Sequence, residues 1–341
     1  MQASEIQIED VLNGGVNSYV LIDVRSENEY QKGHMSGSIN IPLLSNSERE
    51  AVGTTYKQEG RKEAVALGLR LVGPRMEELY RKYSSYFGEK QVVFYCWRGG
   101  LRSEIASVIC AWGGHKILKI KGGYKSFRNL IHQTFEKPYQ LIVLSGKTGS
   151  GKTEILHLLK EKNEQIIDLE DLANHRGSAF GALGMPEQPS TEMFENLLGL
   201  ELLSQDPTKT TWVENESRLI GTCFLPTAFW DKLSTAKIVS ANVDDETRIN
   251  RLLTDYGHFP IGQLTERTEV LRKKLGGQHA NTAIEALKNG DLQLWLKTVL
   301  VYYDKTYGYG EQKHKDRVLH VVVFDWKNKY GSVNELIQTI K

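Results

Sequence analysis

Tyr139-Gln140-Leu141-Ile142-Val143-Leu144-Ser145-Gly146-Lys147-Thr148-Gly149-Ser150-Gly151-Lys152-Thr153 reads as a buried strand running into a glycine-rich turn. From Gly146 onward it matches the G-x-x-x-x-G-K-[ST] phosphate-loop pattern in full. Glycines 146, 149 and 151 let successive backbone N–H groups wrap a diphosphate, with Lys147, Thr148 and Ser150 completing the turn. Lys152 reaches the outer oxygens, Thr153 can hold Mg²⁺, and a helix over residues 153–160 points its positive end inward. The strand before and the helix behind are the context this motif requires, which sets aside a functionless glycine-rich turn.

Downstream, residues 165–168, 210–213, 236–241 and 318–324 read as strands, and 189–204, 244–255 and 264–275 as helices. Asp168-Leu169-Glu170-Asp171-Leu172 leads to His175-Arg176-Gly177-Ser178. There His175 and Arg176 form either a second cationic contact to the diphosphate or a surface turn with a salt bridge. Trp212-Val213-Glu214-Asn215-Glu216 is the fair candidate for a second acidic group at a strand end, with Glu214 and Glu216 as its carboxylates.

Upstream, Lys137-Pro138 marks a hinge, dividing the chain into domains over 1–135 and 136–341. The first domain alternates strands (19–24, 39–42, 91–95, 117–120) with helices, including one over 103–112. This is the rhythm of a parallel α/β sheet, whose active groups gather at the carboxyl ends of the strands. Ser26, with Glu29 three residues on, opens a helical turn. Residues 53–86 are mostly helical and read as a lid or substrate wall, or as a packed helix pair.

The strand over 91–95 delivers Cys96-Trp97-Arg98-Gly99-Gly100-Leu101-Arg102-Ser103. A cysteine that attacks must be a thiolate, and positive potential favours that form. Arg98 and Arg102 supply charge, Gly99 and Gly100 let backbone N–H groups turn inward, and the following helix adds its positive end. Cys96 is therefore the candidate nucleophile. Cys110, on an apolar helix face, reads as packing, and Cys223 leans the same way.

The 341-residue chain is long enough for two domains and, at 40% hydrophobic and 25% charged residues, has an ordinary soluble composition. Its apolar stretches are too short to span a bilayer, and no secretory signal precedes them. Three cysteines without a C-x-x-C pair argue against a disulfide scaffold or a zinc site, which fits a reducing cytoplasm. Net charge is only +1, but Lys116, Lys119, Lys121, Lys125 and Arg128 form a run without an acidic residue. With Arg61-Lys62, Arg81-Lys82 and Arg272-Lys273-Lys274 it suits a polyanionic substrate, or simply a solvated surface.

Asp23-Val24-Arg25, Glu29-Tyr30, Gly33-His34-Met35, Gly37-Ser38-Ile39-Asn40-Ile41-Pro42 and the cysteine loop together resemble a rhodanese domain. That resemblance implies that Cys96 carries a persulfide or its selenium analogue, and that Asp23 and Arg25 brace the loop. The Cys-x5-Arg spacing is one residue longer than in ordinary sulfurtransferase rhodaneses and is shared with rhodanese-related phosphatases. Against a phosphatase, Tyr95 stands where those enzymes usually have histidine, and the loop has no acid placed to protonate a leaving group.

The expected fold class is therefore α/β, a rhodanese-like parallel-sheet domain followed by a P-loop NTPase-like α/β domain. This order, together with Val52-Gly53-Thr54-Thr55-Tyr56-Lys57, Asp168-Leu169-Glu170, His175-Arg176-Gly177-Ser178 and Trp212–Arg218, resembles the tRNA 2-selenouridine synthase family over nearly the whole chain. The resemblance implies replacement of sulfur by selenium at C2 of wobble-position 2-thiouridine in tRNA. Geranyl diphosphate first alkylates the thio group, and selenium from selenophosphate then displaces geranylthiol. It implies tRNA and a selenophosphate-supplying enzyme as partners, with no membrane. The rival reading is a sulfurtransferase or phosphatase domain fused to a nucleotide-dependent ATPase or kinase. Trp97 and Tyr124 are candidate platforms for a splayed base, or core residues.

Overall fold

The computed structural model describes residues 4–14 and 18–340. The chain divides into two compact units, Met1–Thr134 with Glu195–Gly199, and Phe135–Phe194 with Leu200–Lys341.

In the first unit, strands β1 (Ser4–Ile6), β2 (Tyr19–Asp23), β3 (Ile39–Asn40), β4 (Gln91–Tyr95) and β5 (Leu118–Ile120) form one sheet in the order β1-β5-β4-β2-β3. Every pairing is parallel. The central strands β2 and β4 are near-continuous apolar runs, as strands covered on both faces must be. Ile22, Val92 and Phe94 pack with Tyr83, Ala106 and Cys110 from the covering helices. The helical turn Glu27–Lys32 opens with the Ser26/Glu29 capping box.

The helical stretch before β4 is three helices, Asn46–Gln58, Arg61–Val72 and Met76–Ser84, where the sequence suggests a lid or substrate wall, or a packed pair. Gly60, at φ +90°, separates the first two, and Pro74 enforces the second break. Val72, Leu79 and Tyr83 join the core, so the later two helices are packed elements of the unit.

In the second unit, β6 (Gln140–Ser145), β7 (Gln165–Ile167), β8 (Thr210–Glu214), β11 (Lys237–Asn242) and β12 (Val318–Val323) pair in the order β12-β11-β6-β8-β7, again all parallel. A short antiparallel hairpin, β9 (Leu219–Ile220) with β10 (Cys223–Phe224), lies outside this sheet. The strand that feeds the phosphate loop is central, flanked by β8 and β11. Its helix, Lys152–Glu161, buries Ile155, Leu156, Leu158 and Leu159 against Leu144, Trp212, Val239 and Leu336.

A second apolar cluster is mostly helical, joined by Phe180 and Leu183 from a turn, and includes Trp295, Leu264, Leu287 and Tyr256. It draws on Asp245–Tyr256, Ile261–Val270, Gly277–Lys288 and the 22-residue helix Leu292–Lys313. The single helix expected over 264–275 is broken. Leu271 N–H bonds the Thr268 carbonyl at 3.1 Å, a tightened turn that separates Ile261–Val270 from Arg272–Leu275. Among the described residues, no helix is long and apolar enough to cross a membrane.

Candidate functional site

β4 carries Cys96 out at its carboxyl end, and the side chain is 3% exposed. Its Sγ lies 3.3 Å from Ser103 Oγ and 3.8 Å from the Gly100 carbonyl oxygen, at the amino end of helix Leu101–Trp112. Trp97, Arg98 and Leu101 are exposed around it. The loop is backed by a second turn: Tyr124 N–H donates to the Cys96 carbonyl at 2.8 Å and Lys125 N–H to that of Trp97 at 2.9 Å. Two left-handed glycines allow this close approach, Gly99 at φ +66° and Gly123 at φ +60°. A Cβ on Gly99 would lie 2.8 Å from the Ile120 carbonyl oxygen, and one on Gly123 would collide with that of Cys96.

Asp23 and Arg25 are a fully buried pair. Arg25 Nη2 donates to Asp23 Oδ2 at 2.6 Å and to the Gly33 carbonyl at 2.7 Å. Burial works against the guanidinium charge, but the hydrogen bond and charge of Asp23 outweigh it and hold Arg25 above its ordinary range. The guanidinium lies 3.8 Å from the Tyr124 ring centroid. A mechanical line thus runs from Asp23 through Arg25 to Tyr124, whose N–H holds the cysteine's carbonyl.

Several expectations change here. Arg102 does not offer its charge freely to the bowl, because it grips Glu29 in a two-pronged ion pair at 2.5 and 3.1 Å. Burial pushes Glu29 up, yet Arg102 outweighs this and holds it below the usual carboxylate range. Tyr124 is 0% exposed and cannot stack a base, whereas Trp97 is 38% exposed. The basic run is partly neutralised: Lys119 pairs with Glu104, and Arg128 with Glu195. Arg81, Lys82 and Arg272 also pair with nearby glutamates. Cys110 is core, its thiol pushed up to about 12 by burial, and Cys223 is likewise buried.

In the second unit the phosphate loop borders a cavity of about 780 Å³. Gly149 and Gly151 are left-handed at φ +83° and +82°. Lys152 Nζ lies 3.4 Å from the Gly146 carbonyl, and Thr153 Oγ1 donates to Glu170 Oε2 at 3.2 Å. Ser150 is buried, with its hydroxyl unpartnered. Lys147 lies outside the cavity lining, while its carbonyl accepts from Ser150 N–H at 3.0 Å.

Glu214 ends β8 fully buried. Its Oε1 accepts the Glu170 N–H at 2.7 Å, and its Oε2 has no partner. Burial first, and then the neighbouring carboxylates Glu170, Asp168 and Glu216, push it well above the usual range. Glu216 is raised to about 8 by burial and by Glu170, against the pull of Lys152. The two expected acidic residues therefore form a proton-retaining cluster with Glu170, which the sequence places in the Asp168-Leu169-Glu170 segment without a role of its own. Among the described residues, no group of three or more such side chains is arranged to hold a metal ion.

His175 and Arg176 separate. His175 is buried outside the cavity lining, and burial together with Arg267 lowers its basicity. Arg176 does line the cavity; its guanidinium lies 5.8 Å from the Tyr256 ring centroid and one nitrogen is buried without a partner. Sequence reasoning missed Arg251, which also borders the cavity and is held by Glu154 at 2.6 Å and by the Trp326 face at 3.8 Å. It comes from a helix with no recognisable spacing to the phosphate loop.

Two family models match the chain, a rhodanese-like domain over residues 9–130 and the tRNA 2-selenouridine synthase AAA domain over residues 139–331. The tRNA 2-selenouridine synthase of Shewanella denitrificans is 36% identical over 338 residues, covering 88% of this chain and 90% of that protein. That of Sulfurovum sp. is 35% identical, covering 89% and 92%. Among solved structures, the N-terminal domain of a putative ATP/GTP binding protein from Clostridium difficile 630 is 34% identical, with a TM-score of 0.36, and covers 38% of this chain and 98% of that one. With a cysteine loop and a phosphate loop in one chain, and relatives matched over about nine-tenths of their length, the chain belongs to the tRNA 2-selenouridine synthase family of tRNA-modifying enzymes.

Proposed function

We propose that this protein replaces sulfur by selenium at C2 of wobble-position 2-thiouridine in tRNA, through an S-geranyl intermediate. What supports the reading is the coexistence of a cysteine loop at Cys96 and a phosphate loop at Gly146–Thr153 in a chain that selenouridine synthases match over about nine-tenths of its length. Alkylating the thio sulfur makes it a better leaving group, which explains the need for both a diphosphate cradle and a chalcogen-handling thiol.

In the first step the thiouridine sulfur attacks C1 of geranyl diphosphate. The carbon–oxygen bond breaks and the diphosphate stays on the phosphate loop, with Lys152 and Arg176 facing its charge. The oxygen donors here suit Mg²⁺, since Thr153 Oγ1 stands beside Glu170 and magnesium is usually held by few protein groups plus substrate phosphates. Bound there, it would offset the departing negative charge. In the second step selenophosphate occupies the Cys96 loop, where backbone N–H groups, the helix Leu101–Trp112 and exposed Arg98 favour an anion. The selenide-level selenium of selenophosphate, its delivery assisted by Cys96, attacks C2. The C2–S bond breaks, geranylthiol leaves with a proton, and water then cleaves the Se–P bond and releases phosphate. A selenophosphate-supplying enzyme is the corresponding partner.

The test is nucleoside mass spectrometry of 2-thiouridine tRNA incubated with protein, geranyl diphosphate, selenophosphate and Mg²⁺, with single omissions. A geranylated nucleoside without selenophosphate, converted to 2-selenouridine on its addition, is the expected result. An unchanged nucleoside alongside tRNA-independent ATP turnover would overturn the reading.

A further inference from the structure

The cavity does not end at the phosphate loop. Ser240 on β11 is level with Ser145, the residue before the loop, and Ile238 is level with Val143, two residues deeper. Both Ser240 and Ile238 line the cavity, as does Val318, the β12 partner of Ile238. The cavity therefore runs down the face of the sheet by about 7 Å from the level of the phosphate loop.

Helix Leu292–Lys313 supplies a further wall, with Tyr303, Tyr307 and Gly310 at i, i+4 and i+7 beside Thr306, Glu311 and His314. This wall is about 10 Å long. Both phenol hydroxyls are engaged with protein: Tyr303 Oη accepts the Ala179 N–H at 3.2 Å, and Tyr307 Oη pairs with Ser240 Oγ at 2.8 Å. What the two residues have left to offer the cavity is ring carbon. At Gly310 an added Cβ would meet no heavy atom within 4 Å, so the wall is recessed there. Trp230 adds a further aromatic surface to the lining.

A phosphate cradle opening onto aromatic and aliphatic side chains, with Thr306, Glu311 and His314 among them, suits a diphosphate with a hydrocarbon tail. We infer that the channel bounded by Tyr303, Tyr307, Gly310, Ile238, Val318 and Trp230 holds the prenyl tail of the donor, and that Gly310 sets how long a tail is accepted. This rests on the prenyl diphosphate reading of the phosphate loop. Its consequence is separate: tail length is selected by the helix Leu292–Lys313 and the sheet face, while the loop reads only the diphosphate.

The test titrates the full chain with inorganic diphosphate, dimethylallyl diphosphate, geranyl diphosphate and ATP, by calorimetry, for the native protein, Gly310→Leu and Tyr307→Ala. Leucine at Gly310 replaces a helical glycine beside open space, so the fold is kept and the channel shortened. Geranyl diphosphate should lose about tenfold or more in affinity in Gly310→Leu, by exclusion of its distal carbons. Inorganic and dimethylallyl diphosphate should bind that variant as they bind the native protein. Tyr307→Ala, with its melting temperature recorded, should lower the preference for geranyl over inorganic diphosphate.

Unchanged geranyl preference in both variants would overturn the channel assignment and leave the donor reading standing. No preference for geranyl over inorganic diphosphate in the native protein would overturn both. Loss of ATP binding in Gly310→Leu with geranyl binding retained would assign the channel to a nucleotide and sink the inference.

Discussion

Arg248 Nε donates to the Thr148 carbonyl at 2.9 Å, tying the phosphate loop to a helix 100 residues downstream. The guanidinium is 1% exposed and paired with Asp304 at 2.5 Å. Arg248→Ala would leave a loop carbonyl and a carboxylate without their partner, a defect expected to cost about 3 kcal/mol. Urea unfolding checks this, and Arg248→Ala with Asp304→Asn should recover part of the loss. A change within about 0.5 kcal/mol would mean that the pair carries no more weight than a surface contact.

The two cradles predict separable defects. Cys96→Ser should abolish selenation while S-geranyl-2-thiouridine still accumulates. Lys152→Ala should slow geranylation by about a hundredfold, through loss of one charge facing the diphosphate. Nucleoside mass spectrometry reads both. Equal loss of both steps in a well-folded Cys96→Ser protein would end the proposed division of labour.

Gly123 tests the backing of the cysteine loop. Alanine there must adopt φ +60° and push against the Cys96 carbonyl. Gly123→Ala should destabilise the first unit by more than about 1 kcal/mol and suppress selenation, with inorganic diphosphate binding unchanged. Normal selenation in this variant would show that the loop tolerates displacement of its support.

Glu216 gives the second unit a pH dependence. Its ordinary value of 4.5 rises to about 8 in the folded protein, chiefly through burial. The folded state therefore binds the proton more tightly than the unfolded chain does. The resulting stability is full below the ordinary carboxyl value and is lost as pH rises through about 8. Glu216→Gln should flatten the fall in melting temperature between pH 4.5 and about 8; an unaltered slope would place its origin elsewhere.

What could be read from the sequence was whatever depends on local pattern. The strands bearing Cys96 and Gly146 are short apolar runs ending in glycine-rich loops, and both lie where the reading puts them. The capping box at Ser26 follows equally from local chemistry. What escaped depends on contacts between distant segments. Arg102 reads as a free cation until Glu29, from a helix 73 residues earlier, meets it. Tyr124 reads as a candidate platform until Arg25 covers its ring. Glu170 becomes a site residue only because β7 and β8 are neighbours in the sheet, so that its N–H reaches Glu214. The sequence reading places no helix at Leu292–Lys313, whose apolar positions serve two surfaces and give no single stripe.

The order β12-β11-β6-β8-β7 also bears on how the protein is made. β12 is built from residues 318–323, and Val333 and Leu336 beyond it pack in the cluster around the phosphate-loop helix. During synthesis the phosphate loop emerges long before these residues do. Until they arrive, β11 has an open edge and the cavity lacks Val318. A ribosome that stops shortly before Val318 therefore releases a chain with its motifs intact and its phosphate-loop cavity unfinished, so late truncations should be as damaging as loss of the loop itself.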